Sequence, residues 1–264
     1  MKISPKAKKI IFISSGSILA IAVLIWYFFP FLMANYVWYK SGVLIQYLKV
    51  KPIPIIALKE PPKEWNDITI DNLTMKLPMS KYTKVGGKDN FIRFFSGKEC
   101  LVVAQIVPSK EILQMVKENK LTYPAVSFRD QLAIFSSTPA DVSFFNSRSK
   151  NMAVLTNQIL KAIGIPIGGV SKILAVNTGT LKALCIISEK RDKGYVASVF
   201  VYSQNEKVSF DLLLVNYEDQ TTLETDLLAI LGGIKMSDRM GDFDRVSKDI
   251  NKLVTQWNKG DGSI

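Results

Sequence analysis

KILAVNTGTLKALCIISEKRDKGYVASVFVYSQNEKVSFDLLLVNY, residues 172–217, reads as four strands and three turns. The strands are KILAV, TLKALCIIS, GYVASVFVYS and KVSFDLLLVNY, all rich in β-branched and aromatic residues. Asn177-Thr178-Gly179, Arg191–Gly194 and Gln204–Lys207 supply turn residues between them. Apolar and polar positions alternate in places: Lys182 stands between Leu181 and Ala183, and Ser209 and Asp211 alternate with Val208, Phe210 and Leu212. Elsewhere the apolar runs are nearly unbroken, the mark of central strands covered on both faces. Connections this short join antiparallel neighbours, so the stretch predicts a meander.

Upstream, DITI, LTMKLP, KYTKV, FIRFF and CLVVAQIV predict an earlier meander, with turns at Asp71-Asn72, Gly86–Asn90 and Gly97-Lys98. A helical block separates the two. Pro108-Ser109 opens a stretch with Ile112, Leu113 and Val116 on one face. Ser127–Asp130 has the form of a capping box ahead of Phe128, Leu132 and Phe135, and Thr138–Asp141 is a further start signal. Met152, Leu155, Ile159 and Ile163 then follow at helical spacing until Gly164 and Pro166. Downstream, Thr221–Glu224 caps a helix carrying Leu223, Leu227, Ile230 and Leu231, which ends at Gly232-Gly233 before a short Ile234-Lys235-Met236. The expectation is one α+β domain over residues 66–236 with a mostly antiparallel sheet.

Ahead of this domain, residues 10–39 contain no charged side chain. A bilayer core about 30 Å thick needs about 20 apolar residues of helix, and Ile10 to Met33 meets this. Trp26, Tyr27, Tyr36, Trp38 and Tyr39 crowd the distal end, where amphipathic rings favour the headgroup level. Residues 1–39 therefore read as a basic tail and transmembrane anchor. The apolar run exceeds the h-region of a cleavable signal peptide, and Leu32 is too bulky for a small-x-small site at Leu32-Met33-Ala34. Lys2, Lys6, Lys8 and Lys9 place the N-terminus in the cytoplasm and the domain outside it. Residues 40–65 follow as a tether, because Pro52, Pro54, Pro61 and Pro62 forbid a regular helix. Val43, Leu44, Tyr47 and Leu48 recur at helical spacing before those prolines, either as an outward extension of the anchor or as an interfacial segment on the headgroups.

The formal charge of +11 is concentrated at this end. Residues 1–59 hold eight lysines and no acid, whereas the remainder holds 26 basic and 23 acidic side chains. The basic excess thus meets anionic headgroups rather than a nucleic-acid backbone.

The chain resembles the PsbP-like fold over residues 66–236. The resemblance rests on the hairpin ending in Lys76-Leu77-Pro78, the two meanders around a helical block, and the last helix running into Ile230-Leu231-Gly232-Gly233-Ile234-Lys235. It implies an accessory or partner-binding domain without catalytic activity.

Chemistry is limited first by composition: the chain has no histidine. Ser-His-Asp and Cys-His catalysis, H-E-x-x-H zinc sites and most haem or facial-triad iron sites lose their base or ligand. With only Cys100 and Cys185, a structural zinc site or an iron-sulfur cluster lacks its four ligands. These cysteines are either buried free thiols or a disulfide of an extracytoplasmic domain. Ser147-Arg148-Ser149-Lys150 offers an S-x-x-K spacing without the S-D-N and K-T-G companions, so it reads as a helix start rather than a Ser/Lys hydrolase. Gly164–Gly169 lacks the Gly-Lys-Ser/Thr of a phosphate loop, and Asp242 and Asp244 lack the closing glutamate of a calcium loop. Asn72-Leu73-Thr74 matches the N-glycosylation tripeptide, which is short enough to arise by chance. No cofactor or metal is expected. The partners are the bilayer and a protein held near it; a small-molecule or lipid-binding domain is the alternative.

The tail, residues 237–264, carries the residue-level candidate. Phe243, Val246, Ile250, Leu253 and Trp257 recur at spacings of three and four, one narrow seam along a helix. Arg245, Lys248, Asp249 and Lys252 lie off it, with Arg245 and Asp249 spaced to pair. Two heptads do not sustain a coiled coil alone, so the seam packs on its own domain or docks in a partner's groove with Trp257 as anchor.

Overall fold

Alternation along the strands builds two antiparallel sheets, which a computed structural model describes in the context of residues 5–40, 53–105, 127–136, 141–164, 170–190, 194–239 and 241–259, with Gln114 and Glu118. The protein is α+β. Its elements are α1 (Pro5–Lys40), β1 (Asn66–Ile70), β2 (Leu73–Leu77), β3 (Lys84–Lys88), β4 (Phe91–Ser96), β5 (Glu99–Gln105), α2 (Phe128–Ser136), α3 (Arg148–Gly164), β6 (Val170–Asn177), β7 (Leu181–Glu189), β8 (Tyr195–Ser203), β9 (Ser209–Tyr217), α4 (Gln220–Gly232), β10 (Lys235–Met236) and α5 (Phe243–Asn258).

They fall into two compact units, Met1–Lys49 with Ser137–Gly164 and Val50–Ser136 with Ile165–Ile264. The expected helical block is therefore divided. α2 belongs with the sheets, and α3 with α1. The helical stretch expected around Ile112, Leu113 and Val116, the start signal at Thr138 and the loop 165–169 lie outside the described residues.

In the sheet unit, the larger sheet runs β3-β4-β5-β9-β8-β7-β6 and the smaller one β1-β2-β10. The two meanders meet where β5 pairs antiparallel with β9, Cys100 opposite Val215 and Val103 opposite Leu212. The two-residue side-chain period sends Leu181, Ala183, Cys185 and Ile187 of β7, Val199 and Val201 of β8, and Phe210, Leu212 and Leu214 of β9 into one core. Ile68, Ile70, Leu73, Met75 and Leu77 of the small sheet enter the same core, as do Leu223, Leu227, Ile230 and Leu231 of α4. Each fully buried Val, Leu, Ile, Met or Phe among them stabilises the fold by about 1.5–3 kcal/mol. β7 is buried on both faces over Ala183–Ser188, as its unbroken apolar run requires.

Three local expectations differ from the structure. Gly86-Gly87 lies inside β3, and the turn falls at Asp89-Asn90, with Asp89 at φ 57°. The glycine at 87 serves close packing instead: a Cβ there would stand 2.8 Å from the Phe91 carbonyl oxygen and 2.9 Å from Ile250 Cγ2. The α4 cap is Asp219 rather than Thr221, its carboxylate accepting from Thr222 N–H at 2.7 Å. Among the described side chains of α3 the buried ones are Asn151, Leu155 and Gln158, whereas Ile159 is exposed; the side chain of Ile163 lies outside the described residues.

The packed unit also extends past residues 66–236 at both ends. Ile56 N–H donates to the Ala175 carbonyl and Ala175 N–H to the Pro54 carbonyl, both at 2.9 Å, setting a short parallel segment beside β6. Ile56, Leu58 and Trp65 pack against the core, so from residue 53 onward the expected tether is part of the domain. Prolines exclude helix and ladder, but they do not exclude burial.

Candidate functional site

Seam residues of α5 fill a site within their own unit. Val246 and Ile250 are fully buried, and Phe243, Leu253 and Trp257 pack partly buried against the core. The domain that carries them thus covers Val246 and Ile250 fully and the other three in part. The helix is fixed in register by the β1–β2 turn. Asp71, at φ 48°, donates its N–H to Asp249 Oδ2 at 2.9 Å and receives Arg245 Nε at 3.3 Å and Asp242 N–H at 3.2 Å. Arg245 and Asp249 thus meet at Asp71 instead of pairing along the helix. Asp242 caps α5 through Asp244 N–H, which is a structural task.

The remaining charged clusters likewise tie elements together. Lys81 Nζ lies 2.8 Å from Asp226 Oδ2 and 2.9 Å from Glu99 Oε2, and Tyr217 O–H donates to the same Asp226 oxygen at 3.1 Å. Burial works against the Lys81 ammonium, but the bonds to Asp226 and Glu99 outweigh it and hold the amine above its ordinary pKa. An amine held charged in this way is no nucleophile. Glu206, in the turn after β8, ties β7 to α2: Oε1 accepts from Lys182 Nζ at 2.6 Å and Oε2 from Phe128 N–H at 2.9 Å, a carboxylate at a helix N-terminus. The capping box at that terminus forms as expected, with Ser127 Oγ accepting from Asp130 N–H at 3.1 Å and Asp130 Oδ2 facing Ser127 N–H at 3.4 Å. Ser147 Oγ accepts from Lys150 N–H at 3.3 Å, a helix-start bond. Asn72 Nδ2 donates to the Arg239 carbonyl, so the amide of the tripeptide is engaged. Among the described residues, no three Cys, Asp or Glu side chains converge on a metal position.

Asp211, on β9, is the exception among the carboxylates. Burial pushes its pKa up to about 6. An unfolded aspartate titrates near about 3.9, so between about pH 4 and 6 the folded chain holds a proton that the unfolded chain releases. The resulting stability is complete below about pH 4 and is lost as pH rises through about 6. Asp211→Asn should therefore stabilise the protein at pH 7, by on the order of 2 kcal/mol, and flatten the pH profile between 4 and 6. Urea midpoints at pH 4 and pH 7 measure both effects.

Cys100 and Cys185 are free and buried. β9 and β8 intervene between their strands, so at about 4.8 Å per strand they stand at least about 14 Å apart, beyond disulfide reach. Burial pushes the Cys185 thiol up to about 12 and raises that of Cys100. Neither thiol should react with iodoacetamide in the native protein, and both should react in denaturant, giving a mass gain of two adducts.

The helical unit holds what sequence reasoning missed. Pro30 lies inside α1, so the Trp26 carbonyl four residues earlier has no amide to receive. Arg148 supplies the donor from the start of α3: its Nε reaches the Trp26 carbonyl at 3.0 Å, and its guanidinium lies 4.0 Å over the Trp26 ring. Phe144 stacks on Phe28 at 4.5 Å and 8°, with Phe31 edge-on at 6.2 Å. Asn151, itself buried, holds the preceding loop, donating to the Ser143 carbonyl at 2.9 Å and accepting from Asn146 Nδ2 at 3.2 Å. A proline in an apolar helix signals a carbonyl in need of a donor; the pattern does not say which distant residue provides it. α1 itself contains a stretch, Ser17–Tyr36, long and apolar enough to cross a membrane, a property shared with signal sequences. No protein-family model matches the chain, and no curated protein matches it.

Proposed function

We propose that this protein is a single-pass membrane protein whose α+β domain serves as a non-catalytic interaction or accessory module beside the bilayer. The observation that carries this reading is the packing of α1 by its own chain. Phe144 stacks on Phe28 and Arg148 bonds the carbonyl that Pro30 leaves open, contacts that a cleaved leader would forfeit. The engagement of Lys81, Glu99, Asp226, Lys182, Glu206 and Asp71 in ties between elements supports a binding rather than a catalytic role. The resemblance to the PsbP-like fold, read from the sequence over residues 66–236, points the same way. The N-terminus lies in the cytoplasm and the domain outside it.

Crosslinking at native expression, followed by affinity purification from detergent, should recover a protein partner with the full-length chain. Recovery of the chain alone would overturn the accessory reading. A reporter fused after Ile264 should be active outside the cytoplasm; cytoplasmic activity would reverse the orientation.

A further inference from the structure

The charge-free run of residues 10–39 is too long for the membrane it is proposed to cross. At 1.5 Å per residue it spans about 45 Å of helix against a hydrocarbon core of about 30 Å, so roughly ten of its residues lie outside the core. Two features of the structure say which. The first is burial. Every described side chain from Ser17 to Tyr27 is exposed, whereas Phe28, Pro30, Phe31, Met33 and Ala34 are covered to some degree where α3 packs on α1. A change from bare to covered marks the passage from a lipid-facing to a protein-facing helix. The second is chemistry. Arg148 bonds the backbone at Trp26, and a guanidinium is costly in hydrocarbon but favoured at the headgroup level, as are Trp26 and Tyr27 themselves. Both features put the outer hydrocarbon boundary at Trp26–Phe28.

That boundary carries the loop between Asp141 and α3. Phe144 lies over Phe28 yet stays 55% exposed, and its neighbour Phe145 is 95% exposed. Two adjacent solvent-exposed phenylalanines are unfavourable in water, and the loop that presents them is held by the Asn151 bonds rather than collapsed. Arg148 and Lys150 follow within five residues.

We infer that the loop Ser143–Ser147 is a second membrane contact, in which Phe144 and Phe145 insert among the lipids beside α1 while Arg148 sits with the headgroups. The occupant is the bilayer surface, because the exposed phenylalanines continue the apolar surface of α1 at the level where it leaves the core. The protein is thereby fixed in depth at two points. This rests on the reading that α1 spans the bilayer.

The test uses the full-length chain with Cys100 and Cys185 replaced by serine, reconstituted in vesicles of phosphatidylcholine and phosphatidylglycerol. Nitroxide labels are placed singly through Phe145→Cys, Leu24→Cys and Lys63→Cys, and relaxation by oxygen is compared with relaxation by a water-soluble nickel chelate. Labels at 24 and 145 should both favour oxygen, with 63 favouring nickel. If 24 favours oxygen and 145 favours nickel, α1 spans the membrane and the loop contact is wrong. If 145 is shielded from both agents, protein rather than lipid covers the loop, and the inference also fails. If 24 favours nickel, the spanning reading fails and takes the inference with it. The Asn151→Ala variant, which frees the loop without touching its phenylalanines, should shift the 145 label toward nickel; no shift would show that the loop is not presented by its bonds.

Discussion

Ile250→Asp should unfold the sheet unit of the full-length protein in detergent, removing the cooperative urea transition at 25 °C. Ile250 is 1% exposed, in a core shared with Val246 and both sheets, and it seats directly over Gly87. Losing a buried aliphatic side chain costs about 2–5 kcal/mol, and burying an unpaired carboxylate adds several more. A domain of this size has about 5–15 kcal/mol in total. Ile250→Val, which trims one methylene, should lower stability by only about 1 kcal/mol. The triple change of Phe243, Ile250 and Trp257 to serine should likewise abolish the fold. A variant that kept its stability but lost a partner would show the seam free for docking after all.

The second large effect concerns the sign of a glycine substitution. In an ordinary helix, Gly→Ala stabilises by about 1 kcal/mol. At Gly232 the added Cβ would stand 1.9 Å from the Lys59 carbonyl oxygen, a distance no contact tolerates, and the obstacle is backbone. Gly232→Ala should therefore push the Lys59–Pro61 segment off the end of α4 and strip Ile56 and Leu58 from the core, a loss of about 2–3 kcal/mol. The urea midpoint should fall, and trypsin should gain access at Lys59. Gly86→Ala, where no atom lies within 4 Å of the added methyl, should change stability by less than about 1 kcal/mol. A Gly232→Ala protein more stable than the parent would refute the packing of the proline segment.

Both predictions turn on contacts of different legibility. The seam of α5 and the two meanders are visible as periods of 3.6 and 2, because burial on one face leaves its trace at every turn or alternate residue. Leu223, Leu227, Ile230 and Leu231 form such a trace, and all four are buried. The segment from Pro54 to Trp65 leaves none. Its hold on the domain consists of two backbone bonds at Ala175 and three apolar side chains without period, and its prolines advertise only what it is not. Gly87 was legible as a glycine but not as a seat for Ile250, 163 residues later in the chain. The pair of Pro30 and Arg148 is the same case: the local rule shows that a carbonyl is open, and only the tertiary fold brings the donor.

The segment at Ala175 has one more effect. A sheet of seven strands ends in two rows of unpaired amides and carbonyls, which invite the strands of another copy. Along β6, Pro54 and Ile56 take up both backbone groups of Ala175, and the ring nitrogen of Pro54 has no hydrogen to offer a further strand. At the opposite margin, β3 is only five residues long and begins and ends with exposed lysines, Lys84 and Lys88, whose charges repel their own kind. The proline-bearing segment beside β6 thus helps keep the protein from polymerising edge to edge.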